Sequence, residues 1–288
     1  MAIDLATALA VKHKPVTSSY KETDVILYNL GIGTGLPPDN PTSSKNLHYL
    51  FEEHLKVLPS YGVIPVFPMM DDVVQHTDGI DIDFSKVLHG EQGIVMHRPM
   101  PKNATLVHQA TIPAIWDKGK AAVIILQVET KEEGGDPICT NTFTVFARGA
   151  GGFGGERGPG PTNVTPSEMA PDLEFEAIST VRQPLLYRLT GDMNPLHADP
   201  AVAKKAGFPK PILQGLSTFG MACKSVIDNV LDGDVSRVTG FGTRFSGIFF
   251  PGETMVIKVW KQKGKLLIAA HSKERNSAVL GNGWMTFK

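Results

Sequence analysis

The sequence predicts an α+β fold built from two related halves, long antiparallel sheets wrapped on a central helix that is shortened or missing in the first half. Three observations predict it. A tract rich in Gly and Pro, from about 149 to 171, divides the 288-residue chain near its middle. Each half ends in β-branched and aromatic runs separated by short turns, the pattern of a β-meander. One strong helical stripe precedes the strand runs of the second half, and a long sheet around a central helix is the economical arrangement for that order.

In the first half, the runs 121–129 and 139–146 flank the turn at Gly134-Gly135 and predict two strands. Before them, Leu47, Leu50, Phe51, His54, Leu55 and Leu58 predict a short helix that ends before Pro59. The Pro-broken stretch Gly62-Val63-Ile64-Pro65-Val66-Phe67-Pro68 predicts irregular chain. The first half is therefore expected to lack a full-length central helix.

The second half holds that helix. Ile212, Leu216, Phe219, Cys223, Val226 and Val230 recur at steps of four and three, one apolar face of a helix of about 19 residues. Pro211 suits its first turn and Gly233 the chain past its end. The runs 266–272 and 283–287 predict the closing strands. Phe84-Ser85 followed by 87–91 resembles Phe245-Ser246 followed by 248–253, which predicts that the halves are diverged copies. The expected division is an N-terminal repeat over 1–150, a linker over 151–171 and a C-terminal repeat over 172–288.

Composition narrows the function classes. The chain is 42% apolar and 20% charged, with net charge -1 from 28 basic and 29 acidic residues, and no Lys/Arg block favours nucleic acid or a membrane surface. No apolar run reaches the length of a membrane span. Two cysteines, Cys139 and Cys223, sit in apolar contexts and read as buried free thiols of a reducing compartment. The N-terminal stretch lacks the order of a secretory signal, and Thr286-Phe287-Lys288 is not a peroxisomal address of the SKL type. An intracellular location, peroxisomal or cytoplasmic, is expected.

The most informative stretch runs from Tyr187 to His197. Gly191-Asp192 and Asn194-Pro195 are turn signals, so a carboxylate, a carboxamide and an imidazole share one bend of six residues. A short constrained bend holds such groups in fixed mutual geometry, which acid–base chemistry needs, and imidazole exchanges protons near neutrality. Read without further context, the same residues also fit a helix cap at Asp192 and a surface histidine. No HxxxH, HExxH or Cys/His cluster gives a metal site, and no metal or cofactor is expected.

The Tyr187–His197 run, with Asp199-Pro200 and Ala203 beyond it, resembles the hydratase 2 motif of MaoC-like enoyl-CoA hydratases. Phe84 to Gln92, Gly151-Gly152-Phe153-Gly154-Gly155 and Lys210 to Leu216 resemble the eukaryotic hydratase 2, which also occurs as a domain of peroxisomal multifunctional proteins. The resemblance implies a double hot-dog fold, a homodimer, and reversible hydration of a trans-2-enoyl-CoA to the (3R)-3-hydroxyacyl-CoA. Asp192 and His197 match the catalytic pair, and Asn194 a residue that orients the water. Gly215 matches the oxyanion-hole N–H, which a helix start with unpaired N–H groups can provide. His89, Gly90, Lys118, Met193, Pro195, Leu196 and Phe245 match positions that contact acyl-CoA. Gln214 departs from the pattern, standing where close relatives carry His.

The first half aligns Tyr28-Asn29-Leu30-Gly31-Ile32-Gly33 with Tyr187 to Asp192, so Gly33 replaces the acid, and Pro38 falls where the imidazole stands. One active site per chain is expected, in the second half. The first half would bind CoA and leave room for a long acyl tail, with the Pro-broken stretch as a wall. The glycines at 31–35 and 149–155 give no GxGxxG between a clear strand and helix and no GxxxxGK[ST], the patterns of nucleotide binding, and no GxSxG marks a serine nucleophile. Two rival functions remain in view: a hot-dog thioesterase, whose pattern this bend does not follow, and a non-catalytic acyl-CoA carrier.

Overall fold

The structure, a computed structural model, describes residues 3–83, 86–160, 163–166 and 169–288, apart from the side chains of residues 74 and 75. Ten strands form a single antiparallel sheet: β1 (Val16–Tyr20), β2 (Val87–Met96), β3 (Ala104–Asp117), β4 (Ala121–Glu132), β5 (Pro137–Arg148), β6 (Leu173–Ile178), β7 (Val238–Phe245), β8 (Thr254–Gln262), β9 (Lys265–Ser272) and β10 (Ser277–Phe287). The α-helices are α1 (Leu5–Ala10), α2 (Glu22–Gly31), α3 (Ser44–Leu50), α4 (Phe67–His76), α5 (Gln183–Tyr187), α6 (Pro200–Lys205) and α7 (Gly215–Val230).

The order across the sheet is β1-β3-β4-β5-β2-β7-β10-β9-β8-β6. Taken inward from its two edges, each half runs in the same order: first strand, third, fourth, fifth, second. The fold is thus a duplicated unit, α+β, with the copies joined where β2 meets β7. The register there sets Gly93 opposite Gly242 and Ile94 opposite Phe241. The copies also meet through α2 and α5, where the buried rings of Tyr28 and Tyr187 lie 6.0 Å apart.

The register of the duplication differs from the local one expected in the sequence. Val87 to Glu91 open β2, whereas Ile248 to Glu253 form the loop between β7 and β8. Topology pairs β2 with β7, so the likeness of those two short stretches is not a structural equivalence. Phe84 and Ser85 lie outside the described residues.

Helix α7 is the centre of the main core. Leu216, Phe219, Cys223, Val226 and Ile227 are buried, with contacts to β6, β7 and the 3-10 turn Pro59–Val63. A 16-residue helix is marginal alone, whereas each buried large apolar side chain stabilises by about 1.5–3 kcal/mol, so packing rather than propensity holds it. It begins at Gly215, later than the stripe predicts: Pro211 and Ile212 approach it as irregular chain. Gly233 follows its end as expected, with its N–H on Ile227 O at 3.1 Å.

The first half has no equivalent long helix. Its predicted helix is confined to α3, because Phe51 turns to extended backbone and His54 and Leu55 fall in and after a separate 3-10 turn. The stretch expected to be irregular is ordered. Pro59–Val63 forms a fully buried 3-10 turn, with Gly62 O bonded by Asn141 Nδ2 at 2.9 Å. Phe67 and Pro68 begin α4, where Pro in the first turn needs no N–H partner.

Among the described residues between β5 and β6 there is no helix or strand, yet the chain is tied down. Asp117 accepts N–H bonds from Gly119 at 2.7 Å, Gly152 at 2.9 Å and Gly154 at 2.8 Å. These bonds, the one from Gly152 foremost, hold its carboxyl below the usual carboxylate range.

Candidate active site

The bend begins where α5 runs into the 3-10 turn Arg188–Thr190 and ends at Gly191, whose φ of +132° lies in the region that favours glycine. A Cβ there would stand 2.8 Å from the Phe67 ring, so α4 of the first half presses directly on the residue before Asp192. Asp192 is half-buried, and the Asn194 N–H donates to its Oδ1 at 3.3 Å. Asn194 in turn accepts the Leu196 N–H on its side-chain oxygen at 3.0 Å, capping the 3-10 turn Pro195–His197. Asn194 therefore shapes the turn that carries the histidine, and its amide N–H₂ takes no part in these bonds.

His197 is buried at 8% exposure, and its Nδ1–H donates to Ile212 O at 2.9 Å. A carbonyl cannot donate, so a proton sits on Nδ1, and Nε2 is the ring nitrogen that this bond leaves free. Ile212 stands three residues before Gly215, about 10 Å of chain. The imidazole is thus anchored on the segment that leads into α7.

At the start of α7 the first intrahelical bonds run from Ser217 and Thr218 to Gln214 O, at 3.1 and 3.2 Å. Gly215 N–H and Leu216 N–H precede them, and the Gln214 side chain makes no cap. The helix therefore presents uncapped N–H groups at its positive end. A Cβ on Gly215 would lie 3.2 Å from the Phe245 ring, so only glycine leaves this approach open without moving the phenylalanine.

Phe245 connects that helix start to the first half. Its ring lies edge-on to His89, centroids 4.8 Å apart, and His89 is also 5.5 Å from Phe143. Burial pushes the His89 imidazole down to about 4, so it is neutral at physiological pH. Gly90 follows at the bulge between β2 and β5, where a Cβ would meet Thr144 O at 3.2 Å. Met193 and Pro195 are exposed on the bend and Leu196 is half-buried.

The structure thus assembles two groups of the predicted residues: the bend with Asp192, Asn194 and His197, and the cluster of Gly215, Phe245, His89 and Gly90. Lys118 stands apart. Its Nζ donates to the carbonyls of Arg157 and Pro159 and lies 5.5 Å from the Trp116 ring centre. It sits at the β3–β4 turn, at the same end of the sheet as His89 but three strands away. Phe67 belongs to the Pro-broken stretch expected as a wall, but its contact with the bend was not anticipated. Its only sequence signal is the glycine it requires at Gly191. A cavity of about 580 Å³ is unrelated to the bend: it lies on the opposite sheet face, lined by Arg244, Lys258 and His271 among others. Among the described residues no three His, Cys, Asp or Glu side chains are placed to hold a metal, and no helix is long and apolar enough to cross a membrane.

Comparison with known proteins accounts for both halves. Residues 18–149 match the model of the MFE-2 hydratase 2 N-terminal domain, and residues 162–281 match the MaoC like domain. The chain is 43% identical to enoyl-CoA hydratase ChsH3 of Mycobacterium tuberculosis, covering 98% of each chain. It is 37% identical to a probable enoyl-CoA hydratase 2 of Dictyostelium discoideum, covering 98% of this chain and 96% of that one. It is also 37% identical to the peroxisomal multifunctional enzyme type 2 of Mus musculus, covering 96% of this chain and 38% of that protein. Among solved structures, a MaoC-like dehydratase from Phytophthora capsici superimposes with a TM-score of 0.89 at 29% identity, over 99% and 98% of the chains. A Mycobacterium tuberculosis protein described as a double hot-dog shares the fold, with a TM-score of 0.57 at 12% identity over 96% and 95% of the chains. The chain belongs to the MaoC-like hydratase 2 family, and its fold is the double hot-dog.

Proposed function

We propose that this protein is a hydro-lyase that reversibly hydrates a trans-2-enoyl-CoA to the (3R)-3-hydroxyacyl-CoA in fatty-acid metabolism. Relatives named enoyl-CoA hydratase, matching end to end, support the general activity. The observation that carries the residue assignment is the anchoring of His197 on Ile212 O, which joins the acid–base bend to the uncapped start of α7.

Asp192 and His197 hold one water between them. One side chain takes a proton from that water as its oxygen bonds to C3. The C2–C3 π electrons shift toward the thioester, and the negative charge on its oxygen is met by the Gly215 N–H. The other side chain then delivers a proton to C2 as the enolate collapses. Such backbone donors are worth roughly 3–4 kcal/mol where they have been removed. Dehydration runs the same steps backwards.

The second half carries the one active site, and the first half binds the acyl-CoA. His89, Gly90 and Phe245 line the approach to the thioester, with Met193, Pro195 and Leu196 on its other side. Lys118 reaches the phosphate end: two of its three N–H donors are used on linker carbonyls, and its place three strands from His89 at the same end of the sheet suits an extended CoA arm. Phe67 and the Pro59–Val63 turn wall the space left by the missing helix. A homodimer is part of the reading, supported by the exposed row Val181, Leu185 and Leu189 beside the bend. Peroxisomal relatives and two buried free thiols support an intracellular setting, peroxisomal or cytoplasmic.

The test is a chiral assay across a series of enoyl-CoA esters, with the enoyl absorbance and free thiol followed together. Loss of absorbance with (3R) product and no thiol release is expected. Release of CoA would make the protein a thioesterase, and binding without turnover at every chain length would make it a carrier.

A further inference from the structure

Two buried glutamines join the elements that carry the two parts of the site. Gln214 is fully buried at the N-cap of α7, the position where Ser, Thr, Asp or Asn ordinarily bonds the helix's own N–H groups. Its side chain instead leaves the helix, and Nε2 donates to Pro184 O on α5 at 3.1 Å. Gln183, 1% exposed and one residue earlier on α5, reaches the opposite way: its Nε2 donates to Ser217 Oγ in the first turn of α7, and to Met221 Sδ, both at 3.2 Å. Ser217 Oγ continues the chain to Gly31 O of α2 at 3.2 Å. The arrangement is reciprocal: each helix start sends an amide into the other.

The consequences for the site are geometric. Helix α5 runs without a break into the 3-10 turn, Gly191 and Asp192, while α7 opens with the uncapped Gly215 N–H. Because Gln214 spends its amide on α5, it leaves the helix start unblocked and sets how far that start lies from the bend. Its Oε1 is buried without a hydrogen-bond partner among the described residues, which disfavours the side chain as a mere packing element. We propose that Gln183 and Gln214 are positioning residues for the hydration reaction, a reciprocal amide brace that holds the acid–base bend at a fixed distance from the oxyanion donor. This rests on the hydratase reading above.

The test uses the full chain with Gln183→Met, Gln214→Met and the double variant, which keep side-chain volume, and Gln214→His, which restores an N–H donor. Turnover of crotonyl- and decenoyl-CoA is measured with thermal unfolding of each variant. Each Met variant is expected to lose about 10-fold in kcat with KM changed less than about 2-fold. The double variant is expected to lose far less than the product of the two, because one brace is broken only once. Gln214→His is expected to recover most of the loss. Variants with kcat within about 2-fold of wild type, or losses that follow only the fraction unfolded, overturn the brace. Should Met not be tolerated at either site, Gln→Glu at the same positions reads the same kcat-against-KM split. An inactive wild-type protein overturns the hydratase reading and the brace with it, whereas an active wild type with indifferent variants overturns the brace alone.

Discussion

His197 donates its Nδ1–H to Ile212 O at 2.9 Å, and this single bond ties the imidazole to the chain that becomes α7. It fixes a proton on Nδ1, aims Nε2 away from Ile212, and makes the position of the ring depend on the same segment that positions Gly215. Replacing His197 by Ala removes both the imidazole and its anchor, whereas Asp192→Asn keeps the shape and removes the carboxyl group. Each is expected to lower hydration by at least about 100-fold while the fold survives. Steady-state rates with crotonyl-CoA, beside a far-ultraviolet circular dichroism spectrum, check this; near-normal turnover in either variant removes that residue from the pair.

Gly191→Ala is expected to damage activity more than stability. The new methyl group meets the Phe67 ring at 2.8 Å and the φ of +132° resists any side chain, so the bend shifts with Asp192 upon it. A second change, Phe67→Leu, removes the clash but not the backbone strain and is expected to restore activity only partly. Full recovery in the double variant would show that the ring, and not the backbone, makes glycine necessary.

Stability is expected to decline in mild acid. His89 and His108 are both pushed from 6.5 down to about 4 by burial, with His108 held between Ser18 and Thr130 hydroxyls. The unfolded chain binds more protons than the folded one throughout that window, so stability present above the unfolded value is lost as pH falls toward the folded value. Urea unfolding at about pH 7 and about pH 5 measures the loss, and His108→Gln is expected to show a smaller difference between the two. An equal loss in that variant argues against His108 as a source.

Both thiols are expected to be silent. Cys139 and Cys223 are fully buried, and burial pushes each up to about 12, which leaves almost no thiolate at neutral pH. A thiol reagent such as DTNB is expected to label neither in the native protein and both in denaturant. Native labelling with loss of turnover would mean that the core around α7 opens readily.

What the sequence disclosed follows from how local each signal is. The stripe from Leu216 to Val230 and the strand runs of β4, β5, β9 and β10 are periodic, and the bend from Gly191 to His197 is contiguous, so both were legible. The start of α7 was placed too early because Ile212 continues the stripe, while its carbonyl is committed to His197 rather than to a helix. Helices α2 and α4 were missed: α4 begins with Phe67-Pro68 after two other prolines, and the breaker signal hid a helix that proline merely opens. The likeness of 87–91 to 248–253 misled because a short shared pattern carries no register, whereas strand order does. The contacts that assemble the site, Phe67 on Gly191, Phe245 on Gly215 and Gln183 on Ser217, join residues far apart in sequence, where no periodicity records them.

The meeting of β2 with β7 has a consequence for how such a protein can be dismantled. Each strand gives a five-residue stretch of one edge to the other copy, from Glu91 opposite Arg244 to Val95 opposite Gly240. Severing the chain within the tract after β5 would leave two fragments, each with a bare, well-formed edge that seeks a mate. Covalent linkage therefore does more than keep the copies near: it dictates that a first copy always marries a second one. Fragments set loose in a mixture would be free to choose like for like, and such assemblies would lack one of the two copies altogether.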